Sequence, residues 1–135
     1  MARVLGVDFG TVRVGLAISD PEGITAQPLE VLEGADPKTV AARARELDAE
    51  EIVVGIPLRM DGTRGPEVEV AEAFARALES ESSLPVHRWD ERLTTVQAER
   101  AMRAGGKKTR SQRGVVDKVA AALILGAYLE SRRSR

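Results

Sequence analysis

Residues 51–56, Glu51-Ile52-Val53-Val54-Gly55-Ile56, form a nearly continuous apolar run that Pro57 closes. A strand with one wet face alternates apolar and polar side chains. A run without alternation belongs to a strand covered on both faces, as in a sheet between layers of helices. The chain has 135 residues, 43% of them hydrophobic, which is room for one such domain with its own core and too little for two.

The segments around that run supply the partners. Arg3 to Asp8 reads as a buried strand, Gly10-Thr11 as a tight turn, and Val12 to Ser19 as a second strand with Val14, Leu16 and Ile18 on one face. Leu29 to Leu32 reads as a shorter third strand. Asp36-Pro37 is a cap followed by proline at the first helical position, and Val40, Ala41, Ala44 and Leu47 keep helical spacing. Val68, Val70, Ala71, Phe74, Ala75 and Leu78 mark a second, amphipathic helix, and Pro85 to Asp90 a strand. Thr94 with Gln97 forms a capping box that predicts a helix through Met102, stopped by Gly105-Gly106. A last helix is expected from about Val115 to Ser131, with Asp117 in its first turn. The order βββ-αβ-αβ-αα predicts an α/β mixed sheet with helices on both sides, in one domain spanning 1–135.

Charge is segregated along the chain. Residues 92–135 hold 11 Lys and Arg against 3 Asp and Glu, while the net charge of the whole is only -1. Arg100, Arg103, Lys107, Lys108, Arg110 and Arg113 form a basic stretch without an acid, expected as a loop at about 103–113. A short basic tail is expected at 132–135. Such density attracts a polyanion such as nucleic acid, and taken alone the stretch reads equally well as a solvated loop. There is no cysteine and one histidine, so disulfides, thiolate sites and histidine-rich zinc sites are excluded. No run approaches the roughly 20 apolar residues of a membrane span, and Met1-Ala2-Arg3-Val4 opens no apolar signal region, so a cytoplasmic protein without membrane contact is expected.

Three acids stand at the ends of apolar runs: Asp8 in Val7-Asp8-Phe9-Gly10-Thr11, Glu91 after Trp89-Asp90, and Asp117 after Val115-Val116. Cores reject uncompensated carboxylates. If the strands are parallel, Asp8 and Glu91 lie at one edge, where open α/β sheets place their ligands. Converging carboxylates with only oxygen donors point to Mg²⁺ or Mn²⁺, and a pair of such ions runs in-line displacement at phosphorus. With the basic stretch as phosphate contact, acids and bases together suggest a metal-dependent nuclease. Taken singly, each acid has an ordinary reading as well: a turn former at Asp8, a polar residue ahead of a helix at Glu91, and a partner of the helix dipole at Asp117.

Four blocks in order, Val7-Asp8-Phe9-Gly10-Thr11, Gly55-Ile56-Pro57-Leu58 with Met60-Asp61-Gly62-Thr63 and Gly65-Pro66, Asp90-Glu91-Arg92-Leu93-Thr94-Thr95, and Val116-Asp117 with Ala120-Ala121 and Ile124-Leu125, resemble the YqgF family over nearly the whole chain. The resemblance implies a ribonuclease H-like fold, a five-stranded mixed sheet whose first three strands are antiparallel. It also implies a nuclease that matures the 5′ end of precursor 16S rRNA, or a Holliday junction resolvase acting on branched DNA. It maps an acidic triad onto Asp8, Glu91 and Asp117 and gives Thr11, Arg92 and Thr95 structural or substrate-positioning roles. Association with a ribosomal subunit is compatible with it, and the oligomeric state is left open. Arg59 stands where the family often has Asn, and Lys118 where a small or polar residue is common.

Two other classes fit parts of the chain. A non-catalytic RNA-binding ribosome assembly factor would use the basic stretch and leave the acids idle. Asp8-Phe9-Gly10-Thr11 also looks like the phosphate loop of actin-like ATPases, but no second such motif or lobe accompanies it.

Overall fold

The computed structural model describes residues 3–34, 36–94 and 110–133, the side chains of 110–116 excepted. The apolar run of 51–56 forms most of β4 (Ala49–Ile56), and Ile52, Val53 and Val54 have no exposed surface. Burial of three consecutive residues requires cover on both faces, because successive side chains alternate sides. The sheet order is β3-β2-β1-β4-β5. β1 (Arg3–Phe9), β2 (Arg13–Ser19) and β3 (Ala26–Glu33) pair antiparallel in sequence, whereas β4 runs parallel to both β1 and β5 (Val86–Asp90). This is the five-stranded mixed sheet that the resemblance implied.

Alternation sorts the strand residues into two cores. Leu5, Val7, Val14, Leu16, Ile52 and Val54 pack with α1 (Pro37–Glu46) and α2 (Pro66–Ser82) on one face. Val4, Ala17 and Val53 pack with Ala120, Ala121, Ile124, Leu125 and Leu129 of α3 (Arg110–Arg133) on the other. As expected, α1 starts where Asp36 accepts a hydrogen bond from the Lys38 amide at 3.0 Å, with Pro37 behind it. α2 stops at Ser83, a non-glycine residue in the left-handed region at φ 59°. No helix among the described residues is long and apolar enough to cross a membrane.

Three expectations are corrected. β3 begins at Ala26, three residues earlier than its apolar segment, and it includes Pro28 because it is an edge strand with a register shift at Leu16/Ala17. α3 begins at Arg110, so Arg110 and Arg113 belong to helix and Asp117 lies two turns inside it. Arg132 and Arg133 are helical too, rather than part of a tail. The helix expected from Thr94 to Met102 and the rest of the basic stretch lie outside the described residues.

Candidate active site

Asp8 comes from the middle layer. It is 5% exposed, pairs with Gly15 of β2, and lies one residue beyond Val7, whose partner on β4 is Val54. The next β4 residue is Gly55, so both strand neighbours of Asp8 are glycines. Side chains directly across a strand pair stand about 4.5–5.5 Å apart, and glycine removes both that would crowd this carboxylate. The glycines instead receive the other two acidic segments. A Cβ on Gly15 would fall 2.2 Å from the backbone oxygen of Asp117, and one on Gly55 would fall 2.8 Å from Glu91 Oε2. Asp8 therefore stands between the positions over which α3 and Glu91 are laid.

Glu91 is 2% exposed and opens a single 3-10 turn, Glu91–Leu93, directly after β5. The turn is fixed at both ends. Asp90 accepts from the Arg92 amide at 2.9 Å, and Thr94 donates its hydroxyl to the Glu91 carbonyl at 3.0 Å. Arg92 returns its guanidinium to Asp90, with Nη2 2.7 Å from Oδ2. That hydrogen bond holds the Asp90 carboxyl below its usual range, against a smaller opposing effect of burial. Arg92 thus braces the turn that carries Glu91, and Nη1 faces the loop at Gly62.

Asp117 is positioned by helix rather than by strand. Its backbone presses on Gly15, while its Oδ2 accepts from Arg13 Nε at 2.8 Å. The two side chains are 22% and 23% exposed. The hydrogen bond from Arg13 to Asp117 raises the guanidinium pKa further, so Arg13 is a permanent cation there. Lying two turns inside α3, Asp117 is beyond the reach of the dipole at a helix start, which acts within the first turn.

The structure brings Asp8, Glu91 and the Asp117 segment to one face at the carboxyl ends of the parallel strands β1, β4 and β5. It does not close them into one ligand set. Among the described residues no three His, Cys, Asp or Glu side chains are grouped to hold a metal ion. Thr11 is exposed in the β1–β2 turn. Arg110 and Arg113 lie N-terminal to Asp117 along α3; Thr95, Lys107 and Lys108 lie outside the described residues. Sequence reasoning missed Arg13, Gly15, Gly55 and Asp90. The glycines carried a signal, since an isolated glycine inside a strand marks close approach of another backbone.

Chemically, Asp8, Glu91 and Asp117 are oxygen donors suited to a hard divalent cation, and the two glycines let the segments of Glu91 and Asp117 come in close over the sheet. The donor chemistry fits Mg²⁺ or Mn²⁺, with the third carboxylate committed to Arg13 in this state.

Comparison with known proteins agrees in fold and sequence. Residues 2–131 match the family described as RuvX, Holliday junction resolvase. A Koribacter versatilis protein named "Putative pre-16S rRNA nuclease" is 46% identical over 134 residues, 96% of this chain and 88% of its own. One of the same name from Geobacillus kaustophilus is 47% identical over 137 residues, 97% and 99% of the two chains. Thermus thermophilus RuvC, solved with a Holliday junction substrate, shares the fold at a TM-score of 0.57 and 18% identity, over 98% of this chain and 96% of that one.

Proposed function

The chain belongs to the RuvX (YqgF) family of nucleases, and on that premise we propose that it hydrolyses phosphodiester bonds in maturing the 5′ end of precursor 16S rRNA, using divalent metal ions. The observation that carries this reading is the placement of Asp8 between Gly15 and Gly55, with the Asp117 backbone and the Glu91 carboxylate over those glycines. A purely structural acid has no need of two glycine neighbours.

In this reading Asp8, Glu91 and Asp117 hold Mg²⁺ or Mn²⁺. Such ions, as a pair, lower the pKa of a bound water and stabilise the charge that develops on the leaving oxygen. The chain supplies rigidity and charge. Asp8 is fixed by its pairing with Gly15 of β2, one residue beyond the last β1–β4 pair, and Glu91 by a turn closed with Asp90 and Thr94. The basic residues Lys107, Lys108, Arg110 and Arg113 provide phosphate contacts, with Thr11, Arg92 and Thr95 as positioning groups.

Ribosomal RNA is preferred over branched DNA because relatives at 46–47% identity carry the pre-16S rRNA name, while the likeness to RuvC at 18% identity speaks to fold. The test is cleavage of two labelled substrates, a precursor 16S rRNA 5′ fragment and a four-way DNA junction, with Mg²⁺, Mn²⁺ or EDTA. Metal-dependent cutting of the RNA supports the proposal. Cutting of the junction alone moves the chemistry to recombination. Cutting of neither, by folded protein that binds RNA, leaves an assembly factor.

A further inference from the structure

Arg13 does something for which a resting ion pair is a poor explanation: it occupies the one acid of the three that the sheet does not bury. We propose that Arg13 is a substrate-sensitive latch on Asp117, which holds this carboxylate away from the metal site until a backbone phosphate of the nucleic acid takes over the guanidinium. This rests on the reading of Asp8, Glu91 and Asp117 as metal ligands.

Four observations support the latch. Arg13 Nε donates to Asp117 Oδ2 at 2.8 Å, so the acid is engaged with a cation other than a metal. Both side chains are about a quarter exposed, at 23% and 22%, so an incoming anion can reach the pair. Among the described residues the two Nη groups of Arg13 make no hydrogen bond, which leaves part of the guanidinium fork available to a phosphate before the carboxylate lets go. Finally, the Asp117 backbone is fixed against Gly15, where a Cβ would fall 2.2 Å from its carbonyl oxygen. Release therefore needs only rotation of the Asp117 side chain, without movement of α3.

A latch of this kind couples two ligands. Phosphate drawn to Arg13 frees Asp117 for metal, and metal drawing on Asp117 frees Arg13 for phosphate, by the same factor in each direction. Arg13 is a positioning residue in this scheme, since it acts through Asp117. The benefit is that the metal site completes itself only when substrate is present.

The test is Mn²⁺ affinity, measured by electron paramagnetic resonance on wild type, Arg13→Gln and Asp117→Asn, each with and without a single-stranded phosphorothioate oligoribonucleotide that resists cleavage. The oligonucleotide should tighten Mn²⁺ binding to wild type by about two- to fivefold, the range expected for releasing one part-exposed ion pair. Arg13→Gln should bind Mn²⁺ that much more tightly without oligonucleotide and gain little when it is added. Asp117→Asn should lose both affinity and coupling, and it corrects for Mn²⁺ held by the oligonucleotide itself. Unchanged or weaker Mn²⁺ binding in Arg13→Gln, with coupling intact, overturns the latch. Unchanged binding in Asp117→Asn overturns the metal-site reading instead. If Arg13→Gln fails to fold, Arg13→Lys keeps the charge without the fork. Reduced coupling in that variant supports the latch, and full coupling contradicts it.

Discussion

Gly15 of β2 carries the backbone carbonyl of Asp117 on its surface, so closely that a Cβ at this position would lie 2.2 Å from the oxygen and 2.5 Å from its carbon. One missing methyl group thus sets how near α3 comes to the sheet and, with it, how near the third acid comes to Asp8.

This close approach predicts different outcomes for two glycine substitutions. Gly15→Ala drives a methyl into helix backbone that no side-chain rotation can relieve. It should cost about 1–3 kcal/mol or more in urea unfolding and displace Asp117. At Gly55 the nearest atoms are Ile124 Cδ1 at 2.6 Å and Glu91 Oε2 at 2.8 Å, both ends of side chains. Gly55→Ala should be the milder change in stability, yet it should impair cleavage as severely, because the group it moves is Glu91. Equal destabilisation by the two would show that side-chain movement gives no relief at Gly55.

Asp90 should act on stability in acid. Its folded pKa is depressed, chiefly by the hydrogen bond from Arg92. The pair therefore contributes fully above the unfolded carboxyl value of about 4, and the contribution is lost as pH falls through the lower folded value. The stability difference between wild type and Asp90→Asn should be largest near neutral pH and shrink steadily below pH 4. A difference that stays constant across that range in urea midpoints would contradict the assignment.

The far end of α3 has its own anchor. Tyr128 donates its hydroxyl to Glu51 Oε1 at 2.7 Å, Arg132 reaches the same oxygen, and the His87 ring stacks on Tyr128 at 5.2 Å. Tyr128→Phe should cost about 0.5–1.5 kcal/mol by removing one part-buried hydrogen bond. Cleavage should be unchanged, since this anchor lies at the helix end away from Asp117. Loss of activity without loss of stability would tie this cluster to the chemistry.

Much of this architecture is legible in local sequence. The apolar run at 52–56, the alternation of Val14 and Leu16, and the Asp36-Pro37 cap depend on neighbours in the chain, and each is where it was expected. The start of α3 was not legible, because Ser111-Gln112-Arg113-Gly114 has the composition of a loop. Glycine costs about 1 kcal/mol in a helix, but arginine and glutamine are good helix formers, and the 24-residue helix continues through them. Three acids could be picked out because carboxylates at the ends of apolar runs are conspicuous. Arg13 could not, because its partner lies 104 residues away on α3 and only the packing of that helix on β2 brings the two together. Gly15 and Gly55 were visible as strand glycines, but their significance depends on which neighbour stands between them.

Phosphate binding by the basic stretch is a separate prediction. Replacing Lys107, Lys108 and Arg110 with Ala should weaken RNA binding. It should also flatten the dependence of log affinity on log salt by about 0.7 for each single-strand phosphate that is no longer neutralised. An unaltered slope would remove this stretch from the interface.

The most direct test of the account is Asp8→Asn, assayed for RNA binding, unfolding and metal-dependent cleavage of the precursor 16S rRNA 5′ fragment. Removing a group one step outside a metal's ligands already costs about 10–100-fold, so loss of a ligand should lower cleavage at least a hundredfold. Folding and RNA affinity should stay close to wild type, because the change is isosteric. Cleavage at the wild-type rate by Asp8→Asn would contradict the assignment of this site.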